Sequence, residues 1–204
     1  MDTIVVASQK GGSGKTTAAR NLAVAFGAGT ALIDTDPQGT LTSWWDRRKA
    51  HAPILVRVEN GMQATLDVLR ESGVKVVIID TPPSAHAFVG DVIALADLVL
   101  VPVRPTPDDL DAVGPTLDMI EGAGKNFCFV LSQAKPNTRL VGRTLPALAS
   151  HGKVSPVVIH HREDYPTAAL DGRAVTEMGS RAAAAEVREL LDYVRLQLRG
   201  RRRK

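Results

Sequence analysis

Short apolar runs alternate with amphipathic stretches along most of the chain. Strand-like runs fall at 3–8, 30–34, 54–58, 75–80, 98–103, 126–132 and 156–159. Apolar positions spaced for a helix mark 15–27, 40–50, 62–72, 87–96, 108–122, 139–150, 164–170 and 180–199. Several strand-like runs, such as Val76 to Ile79 and Leu98 to Val103, are apolar throughout rather than alternating. Strands covered on both faces read that way. Strand–helix alternation predicts an α/β fold: a doubly wound, mostly parallel sheet flanked by helices, with ligands at the C-terminal strand edge. Neither a repeat nor an interdomain linker breaks the pattern. It predicts one domain over 1–199 and a basic tail over 200–204.

The first strand-like run leads into Lys10-Gly11-Gly12-Ser13-Gly14-Lys15-Thr16-Thr17, and a helical pattern follows from Ala18 to Phe26. A strand, a glycine-rich turn and a helix start make a phosphate cradle. Loop N–H groups converge there and the helix dipole adds positive potential. In such a P-loop, Lys15 reaches the β- and γ-phosphates and the Thr16 hydroxyl ligates Mg²⁺. Two departures stand out. Gln9 occupies the place of the generic first glycine, and Lys10 adds a lysine at the start of the loop. A dinucleotide loop fits worse, because the third glycine of its fingerprint is missing.

Two acidic segments follow in the order a P-loop fold needs. The run Ala31-Leu32-Ile33 ends in Asp34-Thr35-Asp36-Pro37-Gln38-Gly39. In an extended backbone Asp34 and Asp36 project to one side. Two carboxylates facing a phosphate site need a cation or a water to act on. Val76-Val77-Ile78-Ile79-Asp80 has the form of a Walker B strand, with Asp80 on Mg²⁺. Thr81-Pro82-Pro83-Ser84 is a rigid turn beside it and a candidate second switch.

With its extra lysine, the loop resembles the deviant Walker A motif of the ParA/MinD group of P-loop ATPases. Asp34-to-Trp44, Val101-Pro102-Val103-Arg104-Pro105-Thr106-Pro107-Asp108-Asp109-Leu110 and Leu170-Asp171-Gly172-Arg173-Ala174-Val175 are similar to segments of the small, ParF-like plasmid ParA proteins. The resemblance spans residues 3 to about 195. It implies that Lys10 reaches across a homodimer interface to the partner's nucleotide. It implies that Asp36 orients the attacking water and joins Thr16 and Asp80 at the metal, with Asp34 in support near the metal and the P-loop. ATP and Mg²⁺ are the implied cofactors. The loop at 132–137 and Pro105-Thr106-Pro107 are implied neighbours of adenine, and the Asn-Lys-x-Asp signature of GTPases is absent. A ParB-like adaptor and non-specific DNA are the implied partners. Arg139, Arg143, Arg162, Arg173, Arg181, Arg199, Arg201, Arg202, Arg203 and Lys204 are the candidate DNA contacts.

Charge sharpens this picture. The net charge is +3, yet residues 1–138 hold 12 basic and 15 acidic side chains, against 13 and 7 in 139–204. A basic C-terminal part fits a phosphate-rich partner. The single cysteine, Cys128, lies in an apolar run and reads as core in a reducing compartment. One cysteine supplies no CxxC, which argues against the iron–sulfur relatives of the same superfamily. The start of the chain runs straight into the first strand, so neither a signal peptide nor an N-terminal helix-turn-helix is expected. No run is long enough to cross a bilayer. The stripe Val187, Leu190, Leu191, Val194 and Leu198 reads as a helix packed on the sheet rather than a membrane anchor. The expected location is cytoplasmic and nucleoid-associated. Together these point to a ParA-type partition ATPase. The alternatives are a positioning ATPase for another cargo or scaffold and a metabolic ATP-dependent enzyme on the same fold.

Overall fold

The apolar runs pair side by side. β1 (Asp2–Val6), β2 (Thr30–Asp34), β3 (Ile54–Leu55), β4 (Val76–Asp80), β5 (Leu98–Val103) and β6 (Phe127–Leu131) form one sheet in the order β3-β2-β4-β1-β5-β6. Every pairing is parallel. The structure is a computed structural model that describes residues 1–83, 87–136 and 138–201, with Arg201 described by its backbone alone. Nine helices are described: α1 (Lys15–Phe26), α2 (Thr40–Asp46), α3 (Met62–Glu71), α4 (Ala87–Ala94), α5 (Pro107–Asp111), α6 (Gly114–Gly122), α7 (Arg139–Ala149), α8 (Asp164–Leu170) and α9 (Arg181–Arg201).

Alternate strand residues feed two cores, one on each face of the sheet. Ile4, Val6, Leu32, Ile78, Leu100, Cys128 and Val130 pack against α1 and α9. Val5, Ile33, Val77, Ile79, Val99, Phe129 and Leu131 pack against α3, α4, α6 and α7. The α9 stripe Val187, Leu190, Leu191, Val194 and Leu198 is buried in the first core, as its spacing predicts. Cys128 is fully buried, and burial pushes its thiol up to about 12. Among the described residues no helix is long and apolar enough to cross a membrane.

Three departures from the sequence pattern have local causes. The run at 156–159 does not become a regular strand. Ser155 N–H donates to the Phe129 carbonyl at 2.8 Å, and the next edge bond is Ile159 to Leu131 at 2.9 Å. Four residues thus face two of β6, because the Val157 N–H, next in line for the ladder, turns back to the Ser155 hydroxyl at 3.0 Å. The single helix expected at 108–122 is two, α5 and α6. Pro115 stands where its ring opposes the carbonyl of Asp111, which ends the first helix. α9 continues through Gly200 to Arg201, past the expected end at 199.

Register sets up the site. Val6 lies opposite Asp80, and Asp80 opposite Asp34. The ends of β1, β4 and β2 are therefore level, and the glycine loop and both acidic segments leave the sheet along one edge.

Candidate functional site

The loop between β1 and α1 is held through its carbonyls. The Lys15 ammonium donates to the Ser8 carbonyl at 3.0 Å and to the Lys10 carbonyl at 3.2 Å. Gln133 Nε2 donates to the Gly12 carbonyl and the Ser132 hydroxyl to the Ser13 carbonyl. Gly14, with φ of 100°, caps α1 without a side-chain bond, and the first helical turn carries no acid. The first N–H groups of a helix lack partners within it. A helix start left without a capping side chain is an arrangement suited to an anion.

Lys15 is 7% exposed. Burial lowers its pKa, and the charges of Asp80 and Asp36 partly restore it. Behind it the Thr16 hydroxyl donates to Asp80 Oδ2 at 2.6 Å. Asp80 is 1% exposed, and among the described residues its Oδ1 has no hydrogen-bond partner. Burial pushes this carboxyl up to about 7; the Thr16 bond and the Lys15 charge oppose that, while Asp34 and Asp36 reinforce it. Thr35 N–H and hydroxyl both donate to the Asp80 carbonyl, and Thr81 ties its hydroxyl to the Val6 carbonyl at 2.9 Å. The backbones of β1, β2 and β4 are thus locked where the motifs meet.

The two aspartates after β2 do not share a direction. Asp34 Oδ2 accepts from the N–H and hydroxyl of Thr42 at 2.8 and 2.9 Å, and Oδ1 accepts from Asp36 N–H. Its oxygens are spent on fastening α2 to the strand end. Asp36 Oδ1 accepts from Gln38 N–H at 3.0 Å, and its field reaches Lys15 and Asp80. The extended backbone assumed from spacing ends at Asp34, so Asp34 turns to the helix and Asp36 remains at the site. Ser84 of the second switch and Asn137 lie outside the described residues.

A cavity of about 300 Å³ opens beside Gly14 and Thr17, bounded by Asn21, Ser132, Gln133 and Arg162. Pro105 and Pro107 do not line it. Around it stands a cluster that sequence spacing missed. Glu186 of α9 accepts from His160 Nδ1 at 2.8 Å, Arg162 Nη2 at 2.7 Å and the Tyr165 hydroxyl at 3.0 Å. Burial opposes ionisation of Glu186, but these donors hold its carboxyl below the usual range. Read as a strand, His160 and His161 would face opposite ways; on the irregular edge both line the cavity. The only early signal was a lone buried-face glutamate in α9.

The arginines named for DNA have different surroundings. Arg162 is spent on Glu186, and Arg173 pairs with Asp171 at 2.6 Å. Arg139 and Arg143 are exposed on α7. Arg181 and Arg199 stand at opposite ends of α9, roughly 27 Å apart at 1.5 Å per residue. Arg199 shares a surface hollow with Lys75 and Arg195 at the N-terminal strand edge. The Arg201 side chain, Arg202, Arg203 and Lys204 lie outside the described residues. Arg48 ties α2 to the later segment, donating to the Gly172 carbonyl at 3.0 Å and to both Glu177 oxygens.

Comparison with known proteins agrees with this geometry. A family model of the CobQ/CobB/MinD/ParA nucleotide binding domain matches residues 4–175. A maintenance of carboxysome distribution protein A from Halothiobacillus neapolitanus is 32% identical, covering 94% of this chain and 95% of its own. The chromosome-partitioning ATPase Soj of Thermus thermophilus is 29% identical over 68% of this chain and 66% of its own. Among solved structures, Cyanothece McdA without nucleotide superposes with a TM-score of 0.76 at 19% identity, covering 95% of this chain and 99% of its own. MinD in the Aquifex aeolicus MinC:MinD complex gives 0.79 at 14% identity, covering 96% of each chain.

Proposed function

The chain belongs to the CobQ/CobB/MinD/ParA nucleotide-binding family, and on that premise we propose that it is a magnesium-dependent ATPase that distributes a cellular cargo. One observation carries the chemistry. Beneath a glycine loop the Thr16 hydroxyl meets Asp80, whose second oxygen is buried and has no partner among the described residues. That orphaned carboxylate oxygen fits a hard cation completed by phosphate oxygens and water, since Mg²⁺ takes few protein ligands. Thr16 and Asp80 would hold it. The ion would neutralise charge on the β- and γ-oxygens when bound. Lys15 supplies fixed positive charge at the same phosphates. Asp36, the carboxylate left at the site, orients a water for attack on the γ-phosphoryl group. The cavity beside Thr17 takes the adenosine.

Lys10 has no hydrogen bond or ion pair through its ammonium among the described residues. A loop lysine left unspent supports the reading that it engages a partner subunit's nucleotide, so that ATP closes a homodimer. Relatives matched over nearly their full length are named for carboxysome distribution. That favours positioning of a particulate cargo, with an adaptor on the cargo and DNA of the nucleoid as scaffold. Plasmid or chromosome partition is the second reading, supported by a Rhizobium radiobacter ParA matched over 59% of this chain. Turnover of Mg-ATP by the purified chain, with and without duplex DNA, tests the proposal. No turnover and no ATP-dependent dimer would reject it; a dimer that ignores DNA would move it to another scaffold.

A further inference from the structure

We infer that Arg104 is a further phosphate-contacting residue of this site, the cation that distinguishes ATP from ADP. The inference rests on the nucleotide reading above. Arg104 follows β5, which pairs with β1, so it stands beside the first half of the glycine loop. Its Nη1 lies 3.7 Å from where a Cβ at Gly12 would be. Glycine at 11 and 12 leaves nothing between the guanidinium and the mouth of the loop.

The side chain is aimed. Arg104 Nε donates to Asp109 Oδ1 at 3.0 Å. The Asp109 side chain is 2% exposed, and its Oδ2 accepts from the Thr106 hydroxyl. Thr106 in turn caps α5 by accepting from Asp109 N–H. The guanidinium is thus gripped by its Nε edge. Among the described residues its terminal nitrogens have no hydrogen-bond acceptor, and the side chain is 31% exposed. A planar fork fixed at one edge by a buried carboxylate presents the other edge at little further entropic cost.

Position along the loop decides which phosphate is met. Gly14 and Thr17 border the nucleoside cavity, and Gly12 does not. A phosphate chain leaving that cavity past the helix start ends towards Gly12 and Lys10. Lys15 is tethered inside the loop by two carbonyls. Arg104 approaches from the outer, Gly12 side, where the terminal phosphate adds charge that ADP lacks.

The test is the ratio of affinities, by calorimetry with Mg²⁺, for a non-hydrolysable ATP analogue and for ADP. Arg104→Gln should weaken the analogue about tenfold or more, as loss of a charge-assisted hydrogen bond does, and leave ADP unchanged. Arg104→Lys keeps the charge and should retain part of the preference, which guards against a misfolded glutamine variant. If both variants weaken the two nucleotides equally, or neither, Arg104 serves only to neutralise Asp109 and the inference falls. If the wild-type chain binds neither nucleotide, the nucleotide reading falls as well.

Discussion

Asp80→Asn should make the nucleotide-free protein more stable while removing its ability to use Mg-ATP. The Asp80 carboxyl is 1% exposed, one oxygen is bonded to Thr16 and the other has no partner among the described residues. Burial pushes its titration up to about 7, against an ordinary aspartate value near 4. Because the folded value lies above the unfolded one, the folded chain binds more protons between about pH 4 and 7. Stability from this group is complete below that window, declines as pH rises through it, and is fully lost above about 7. The loss amounts to about 4 kcal/mol at 1.36 kcal/mol per tenfold. Asparagine keeps the shape and removes the charge, but adds an amide donor that costs about 1–3 kcal/mol if it stays unpaired. A net gain of about 1–3 kcal/mol should remain at about pH 8.5, raising Tm by roughly 3–10 °C for a domain of this size. The gain should vanish near pH 4.5. Thermal melts of both proteins across that range, without nucleotide, give the difference directly. Glu177 and Glu186, whose values are lowered, lose stability at acid pH equally in both proteins and cancel. A variant that melts below wild type at about pH 8.5, or a pH-independent difference, would refute the reasoning.

Lys10→Ala should bind ATP as a monomer but fail to dimerise or turn over, because the ammonium has no partner among the described residues of its own chain; light scattering with ATP checks this. Asp36→Ala should retain ATP and lower kcat by roughly 10²-fold or more, as loss of a water-orienting group does; wild-type turnover in a folded variant would move the role elsewhere. Gly172→Ala should destabilise by about 2–4 kcal/mol from overpacking and left-handed strain. Its Cβ would fall 2.4 Å from Arg48 N, at φ of 66°; an unchanged melting temperature would show that the two segments part easily.

The fold was legible because both-face burial leaves an unmistakable mark. β4 and β5 are apolar at nearly every position, and α9 carries its stripe at helical spacing. What escaped depends on competition between groups. Apolar content marks Val157 and Ile159 as core, and they are, but the Ser155 hydroxyl captures the Val157 N–H and makes the edge irregular. Likewise helical propensity runs across 108–122, and one proline ring divides it.

The site divides along a similar line. The glycine loop, Thr16 and Asp80 were legible because each motif ends a strand, and parallel register brings strand ends level. Spacing alone did not separate Asp34 from Asp36, since that depends on where the strand stops. Less legible still were contacts between polar residues far apart in the chain. Ser132 and Gln133 fasten the carbonyls of Ser13 and Gly12, and Glu186 gathers His160, Arg162 and Tyr165 at the cavity. Polar residues in these places carry no periodic signal, because one contact suffices and nothing repeats. Arg162 shows the consequence. Its sequence context offers only a positive charge, which reads as a contact for DNA. With Glu186 against it, the charge is neutralised, and the side chain becomes part of the wall that a nucleoside would meet.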